Sequence, residues 1–166
     1  MIVVDVGCHD HPAHDGQSQD SIGRLIDRFR PRVLYGFDPH PGLPVGSTLQ
    51  DGVRVVRERR AAWVHDGIVE FDYTPDQGPL GSKIREGAAG RVPCFDLAAF
   101  LIEQLPQGHI VLKLDAEGAE YPLLARIIDQ DVDEFLTLVL VEWHQPRKWQ
   151  ARRRLERALR CPVQSW

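Results

Sequence analysis

Two stretches, Ile110-Val-Leu-Lys-Leu-Asp-Ala-Glu-Gly-Ala-Glu120 and Leu138-Val-Leu-Val-Glu-Trp-His144, constrain the fold more than any others. Each is an aliphatic run that stops abruptly at acids. A short, nearly continuous apolar run reads as a strand buried on both faces, and such strands belong to parallel sheets covered by helices. The chain opens the same way, with Met1-Ile-Val-Val-Asp-Val-Gly-Cys-His-Asp10. In open α/β sheets the ligand lies outside the carboxyl ends of the strands. Three strand ends that carry acids therefore point to one site.

The same patterns predict strands at Ile2–Val6, Val33–Phe37, Val53–Arg57, Ile68–Tyr73, His109–Leu114 and Leu136–Glu142. Helical patterns lie between them at Gln19–Arg30, Asp96–Gln104, Ala119–Asp129 and Arg147–Arg160. Asp96 is expected to cap its helix, and Pro31 to end the first one. Strands alternating with helices imply right-handed crossovers and a doubly wound, mostly parallel α/β sheet. Residues 39–52 are expected to be an irregular connection, and residues 74–90 a long loop that covers a pocket.

With 166 residues and 18.8 kDa, a single domain spanning 1–166 is expected. No uncharged apolar run approaches membrane-spanning length. Three cysteines without metal-type spacing (Cys8, Cys94 and Cys161) suggest free thiols and a cytoplasmic setting. The first apolar run lacks a basic leader and reads as a strand, not a signal peptide. Between Arg147 and Arg160 lie seven basic residues and one acid, so 13 basic and 23 acidic residues elsewhere leave the rest at −10. That basic segment reads as the solvated face of a helix with Trp149, Leu155 and Leu159 turned inward. The acidic remainder argues against a nucleic-acid partner.

At the first strand's end, Gly7 permits close backbone approach of a ligand. The three spaced glycines of a dinucleotide fingerprint are absent. Asp38, ending Leu34-Tyr-Gly-Phe-Asp-Pro39, stands where an acid binds ribose hydroxyls. Asp5-x-Gly7 followed by Asp38 points to an adenosyl ligand.

The succession Val4-Asp-Val-Gly-Cys, Tyr35-Gly-Phe-Asp-Pro, Ala61-Ala-Trp, Leu80-Gly-Ser-Lys, Val111-Leu-Lys-Leu-Asp-Ala-Glu-Gly-Ala-Glu-Tyr and Val141-Glu-Trp-His resembles the FkbM-type methyltransferases. The resemblance runs from about residue 2 to 145. It implies a Rossmann-like sheet of the class I methyltransferase type, S-adenosylmethionine as cofactor, and methylation of a hydroxyl on a sugar, glycan or small natural product. It also implies that Asp5, Gly7 and Cys8 lie at the methionine end, Asp38 at the ribose, Ala62 and Trp63 near the adenine, and Ser82 on the covering loop. Two features depart from the family pattern. The first loop holds three histidines in place of a second small residue. Cys161–Trp166 supplies a sixth strand but no seventh, so the sheet is expected to be shortened at its C-terminal edge. A homodimer through that open edge, or through the basic helix, follows as an expectation.

Methyl transfer to oxygen needs an aligned hydroxyl and a base or a metal. Period-two geometry would put Glu142 and His144 on one face, beside Asp115 on the adjacent strand. His144 is the leading general base, because histidine titrates near neutral pH. Glu142 orients it or helps to bind a metal, and Asp115 positions the acceptor or ligates Mg²⁺ or Mn²⁺. Lys113 is either a buried partner of these carboxylates or an acceptor contact, Glu117 either an acceptor contact or a helix N-terminal acid, and Glu120 reads as a first-turn helix acid. His9, His11 and His14 read first as a solvated polar loop, with an acceptor or methionine contact and a metal cluster as the alternatives. Two rival functions remain open: a metal-dependent hydrolase using Asp5, His9, His11, Asp115 and His144, and a non-catalytic module that binds an adenosyl ligand or a protein partner.

Overall fold

The computed structural model describes residues 1–8, 21–72, 83–104 and 108–166. The aliphatic runs form strands β1 (Ile2–Val6), β2 (Val33–Phe37), β4 (Val53–Glu58), β9 (Ile110–Leu114) and β10 (Leu136–Val141). Strand β3 (Gly46–Gln50) and strand β11 (Val163–Ser165) complete a seven-stranded sheet in the order β11-β10-β9-β1-β2-β4-β3. The sheet is mixed: β3 runs antiparallel to β4, and the other five pairings are parallel. A second sheet has the order β5-β8-β6-β7, from β5 (Ala61–Trp63), β6 (Gly67–Asp72), β7 (Lys83–Ile84) and β8 (Gly90–Asp96). The architecture is α/β, with helices α1 (Ser21–Phe29), α2 (Leu97–Gln104), α3 (Glu120–Asp129) and α4 (Trp149–Ala158) among the described residues.

Alternation along the strands sorts the core into two layers. Ile2, Val4 and Val6, with Ile110, Leu112 and Leu114, face the α2 and α3 side chains Leu101, Leu123 and Ile127. Val3, Leu34 and Val111 face Ile22, Leu25 and Ile26 of α1. Ala62 and Phe95 of the second sheet join the first layer, so both sheets share one core. Asp96 caps α2 as expected, its Oδ1 accepting the amides of Ala98 at 3.0 Å and Ala99 at 3.3 Å.

Several expectations are corrected. Residues 39–52 are not wholly irregular, because β3 forms there as an exposed edge. Residues 83–90 include β7 and the start of β8; the rest of the expected covering loop, with Ser82, lies outside the described residues, as do His9, His11 and His14. Strand β10 stops at Val141, one residue short of Glu142. Trp149 does not face inward; it is 54% exposed, while Leu159 is buried. Beyond α4 the chain is clasped by Arg160. Its guanidinium meets the buried Asp133 carboxylate at 2.6 and 3.1 Å and Asp131 at 2.8 Å, and also reaches Glu134. This clasp starts the return that lays β11 beside β10. No described helix is long and apolar enough to cross a membrane.

Gly7 has φ +79°, and a Cβ there would overlap the carbonyl oxygen of Asp115. Gly52 has nearly the same φ, +80°, but open space around it. Gly52→Ala should therefore cost only the left-handed strain of about 1–2 kcal/mol, and Gly7→Ala substantially more. Urea unfolding of both variants measures the difference, and equal losses would remove the close approach as a constraint.

Candidate functional site

Five strand tips form a row. The first residue past each strand donates its amide to the last residue of the neighbouring strand: Asp38 to Glu58 at 3.3 Å, Gly7 to Phe37 at 2.9 Å, Asp115 to Val6 at 3.1 Å, Glu142 to Leu114 at 2.9 Å and Trp166 to Val141 at 3.1 Å. All five line one cavity of about 400 Å³. That volume lies in the range of small-molecule sites, roughly 300–1,000 Å³. Its apolar wall comes from Phe37, Ala61, Ala62, Phe71 and Ile84. The cavity thus sits at the carboxyl ends of the parallel strands, where the acids at their ends pointed.

Behind the row is a buried charge network. Asp5 and Lys113 are register partners on β1 and β9, and both are fully buried. The Lys113 ammonium donates to Gly7 O at 2.9 Å and lies 3.0 Å from Asp5 Oδ1 and 3.3 Å from Asp115 Oδ2. Three oxygens thus surround a group with three hydrogens. Burial alone would lower the Lys113 pKa, but Asp5 and Asp115 outweigh it and raise it, so the ammonium stays charged. The Ser21 hydroxyl donates to the other Asp5 oxygen, tying α1 to β1.

The second cluster surrounds His144. Its Nδ1 lies 2.8 Å from Oε1 of the fully buried Glu120. That same oxygen accepts the Ala116 amide at 2.8 Å. A carboxylate at Nδ1 assigns the proton to that nitrogen, which leaves Nε2 turned toward the cavity acids. Nε2 stands 3.6 Å from Glu117, 3.8 Å from Asp115 and 3.9 Å from Glu142. These separations exceed hydrogen bonds. The Glu120 hydrogen bond above all, and then the charges of Glu120, Glu117 and Asp115, push the His144 pKa up to about 9 against the pull of burial. Burial, with Asp115 nearby, also raises the pKa of Glu142. Asp115, Glu142 and His144 offer ligand atoms all within 4.8 Å of one another, a set able to hold a divalent cation.

The residues expected at the site divide clearly. Gly7, Asp38, Ala62, Asp115, Glu117, Glu142 and His144 line the cavity. Asp5 and Lys113 stand behind its wall: Lys113 is the buried carboxylate partner, one of its two expected roles, and the expected contact of Asp5 with the ligand is replaced by a positioning role. Cys8 is buried out of the lining, with its thiol pKa raised by burial and by Asp5 and Asp38. Trp63 packs into the core and not onto the cavity. His144 is not a neutral base at rest: with a pKa of about 9 it is protonated at neutral pH. The sequence reading missed Arg24, Lys83 and Trp166 in the lining. Glu120 is the first-turn acid of α3 that was expected, and it is also buried, on one stripe with Leu123, Leu124 and Ile127.

No family model, no curated protein and no solved structure matches the chain.

Two predictions follow from the charges. Lys113→Met leaves Asp5 buried without a counter-charge and should cost about 3–5 kcal/mol, measured by chemical denaturation; a loss below 1 kcal/mol on the order expected for a surface pair would contradict the network. His144 has its pKa raised in the folded state, so its contribution is complete below pH 6.5 and is lost as pH climbs through about 9. Relative to His144→Gln, the protein should therefore lose roughly 3 kcal/mol or less of unfolding free energy across that window. Parallel pH profiles of the two proteins would refute the assignment.

Proposed function

We propose that the protein is an S-adenosylmethionine-dependent methyltransferase that methylates a hydroxyl of a sugar, glycan or small natural product. The single observation that carries this reading is the row of tips, with Gly7 and Asp38 on one side of the cavity and Asp115, Glu142 and His144 on the other. The order β9-β1-β2-β4 with parallel pairing supports a Rossmann-like sheet of the class I type. The resemblance of the motifs to FkbM-type enzymes points the same way.

The residues present suit the ligand. Asp38 is oriented by the His40 amide, which donates to its Oδ1 at 2.8 Å, and faces the cavity where ribose hydroxyls would sit. Phe37, Ala62, Phe71 and Ile84 offer an apolar slot for the base. The carboxylates of Asp115, Glu117 and Glu142 suit a cationic centre. When bound, S-adenosylmethionine supplies an electrophilic methyl on a sulfonium. His144 would take the single proton of the reacting hydroxyl at Nε2, while Asp115 and Glu142 would hold the acceptor by accepting from its neighbouring N–H or O–H groups. A positive charge nearby disfavours a second proton on the imidazole, which moves His144 toward the neutral form needed for that role. Glu120 keeps the ring oriented throughout by holding Nδ1.

The cluster of Asp115, Glu142 and His144 also favours a second reading, a metal-dependent hydrolase, with Mg²⁺ or Mn²⁺ as the oxygen-rich choice. Asp5 is lost to that reading, because it is fully buried against Lys113 and Ser21.

Calorimetry separates the two. S-adenosylhomocysteine should bind at about micromolar strength, and Asp38→Ala should abolish that binding. Tight Mn²⁺ binding with no nucleoside binding in any condition would replace the methyltransferase with the hydrolase.

A further inference from the structure

The cavity has a cationic end that neither the motifs nor the acid cluster explains. Arg24 lies in the first turn of α1, lines the cavity and is exposed. Its guanidinium carbon sits 4.3 Å from the centre of the Trp166 ring. Trp166 is the last of the five tips, fixed by its amide on Val141 and by β11 lying alongside β10. Its indole folds back over the sheet, so that Lys113 Nζ of β9 is 5.8 Å from the ring centre. Arg24 makes no ion pair with a carboxylate among the described residues. Among the described residues, Asp27 of α1 is paired with Arg30, and Asp5, which accepts from Ser21 of α1, is paired with Lys113.

We infer that Arg24, stacked on Trp166, is a clamp for the carboxylate of an amino-acid-bearing nucleoside. The inference rests on the adenosyl reading above and adds the means by which the far end of the ligand is recognised. A guanidinium laid on an aromatic face keeps its edge N–H groups free, and that planar fork matches a carboxylate with two parallel hydrogen bonds. The stack also holds the long side chain in one geometry, so less conformational freedom is lost when an anion binds. Position supports the choice of ligand end. Asp38 belongs to β2, and the Trp166 ring lies over β9, two strand steps away. Two steps are roughly 10 Å, a separation that a homocysteinyl arm extending from the ribose covers. Trp166 packs with the α1 layer, whereas Glu120, which holds His144, belongs to α3 of the other layer: the acids around His144 would repel a carboxylate, and Arg24 attracts one. The cavity is therefore polarised, and a zwitterionic ligand has one favoured direction in it.

The test compares two thioethers that share the adenosine. S-adenosylhomocysteine carries the amino-acid arm, and 5′-methylthioadenosine lacks it. Arg24→Gln should weaken S-adenosylhomocysteine by about 10- to 100-fold, the loss of a charge-assisted pair, and leave 5′-methylthioadenosine unchanged. Arg24→Lys should recover only part of the loss, because a point charge lacks the fork. Trp166→Leu should weaken the first compound selectively as well, and a circular dichroism spectrum like that of the parent guards against simple misfolding. Equal effects of Arg24→Gln on both compounds, or none on either, would overturn the clamp while leaving the adenosyl site standing. Failure of the unmodified protein to bind either compound would overturn both readings together.

Discussion

The ammonium of Lys113, sealed among the oxygens of Gly7, Asp5 and Asp115, is the contact on which the site depends. It joins the middle of β1 to the middle of β9 and reaches the tips of both strands at once. A buried ion pair contributes little net stability compared with apolar packing, because desolvation consumes most of the attraction. What it supplies here is position. Asp115 is held by one oxygen, Gly7 is held by its carbonyl, and Ser21 carries the start of α1 to the same point through Asp5. Three elements that meet at the cavity are thereby referred to one atom.

The His144 cluster rests on a similar arrangement one strand further along. Glu120 enters from the first turn of α3, and one of its oxygens holds both the imidazole and the amide of Ala116 in the turn before that helix. The consequence is electrostatic. Glu117, Asp115 and Glu142 crowd around the remaining nitrogen at distances too long for hydrogen bonds, and the imidazole holds a proton that an isolated histidine would have lost near neutral pH. The corner is built to receive positive charge.

Much of this was legible in the chain, for a definite reason. Strands buried on both faces need unbroken aliphatic runs, so β1, β9 and β10 announce themselves, and the acids that end them could only lie at the tips. Asp38, Asp115 and Glu142 were found that way. Asp5 and Lys113 broke the runs in the same register and could have been paired on that ground. Other parts left weaker traces. Strand β3 has no core to fill, being exposed along most of its length, and its Gly-Ser-Thr-Leu-Gln sequence shows no alternation. Trp149 followed the expected helical stripe but lies outside the packed face, since α4 buries none of its residues. Trp166 reaches the cavity through a three-residue edge strand whose place depends on the distant Arg160 clasp, a tertiary contact that no local pattern encodes.

The row of tips has one more consequence. At Asp38, Gly7, Asp115, Glu142 and Trp166 the main-chain N–H is already spent on the adjacent strand. Those five positions have no peptide hydrogen left over for a guest molecule, unlike the glycine-rich loops that grip phosphates through the backbone. Selectivity along this rim is therefore written in replaceable side groups on a fixed scaffold, so a few substitutions could redirect what the rim accepts while the architecture beneath stays intact.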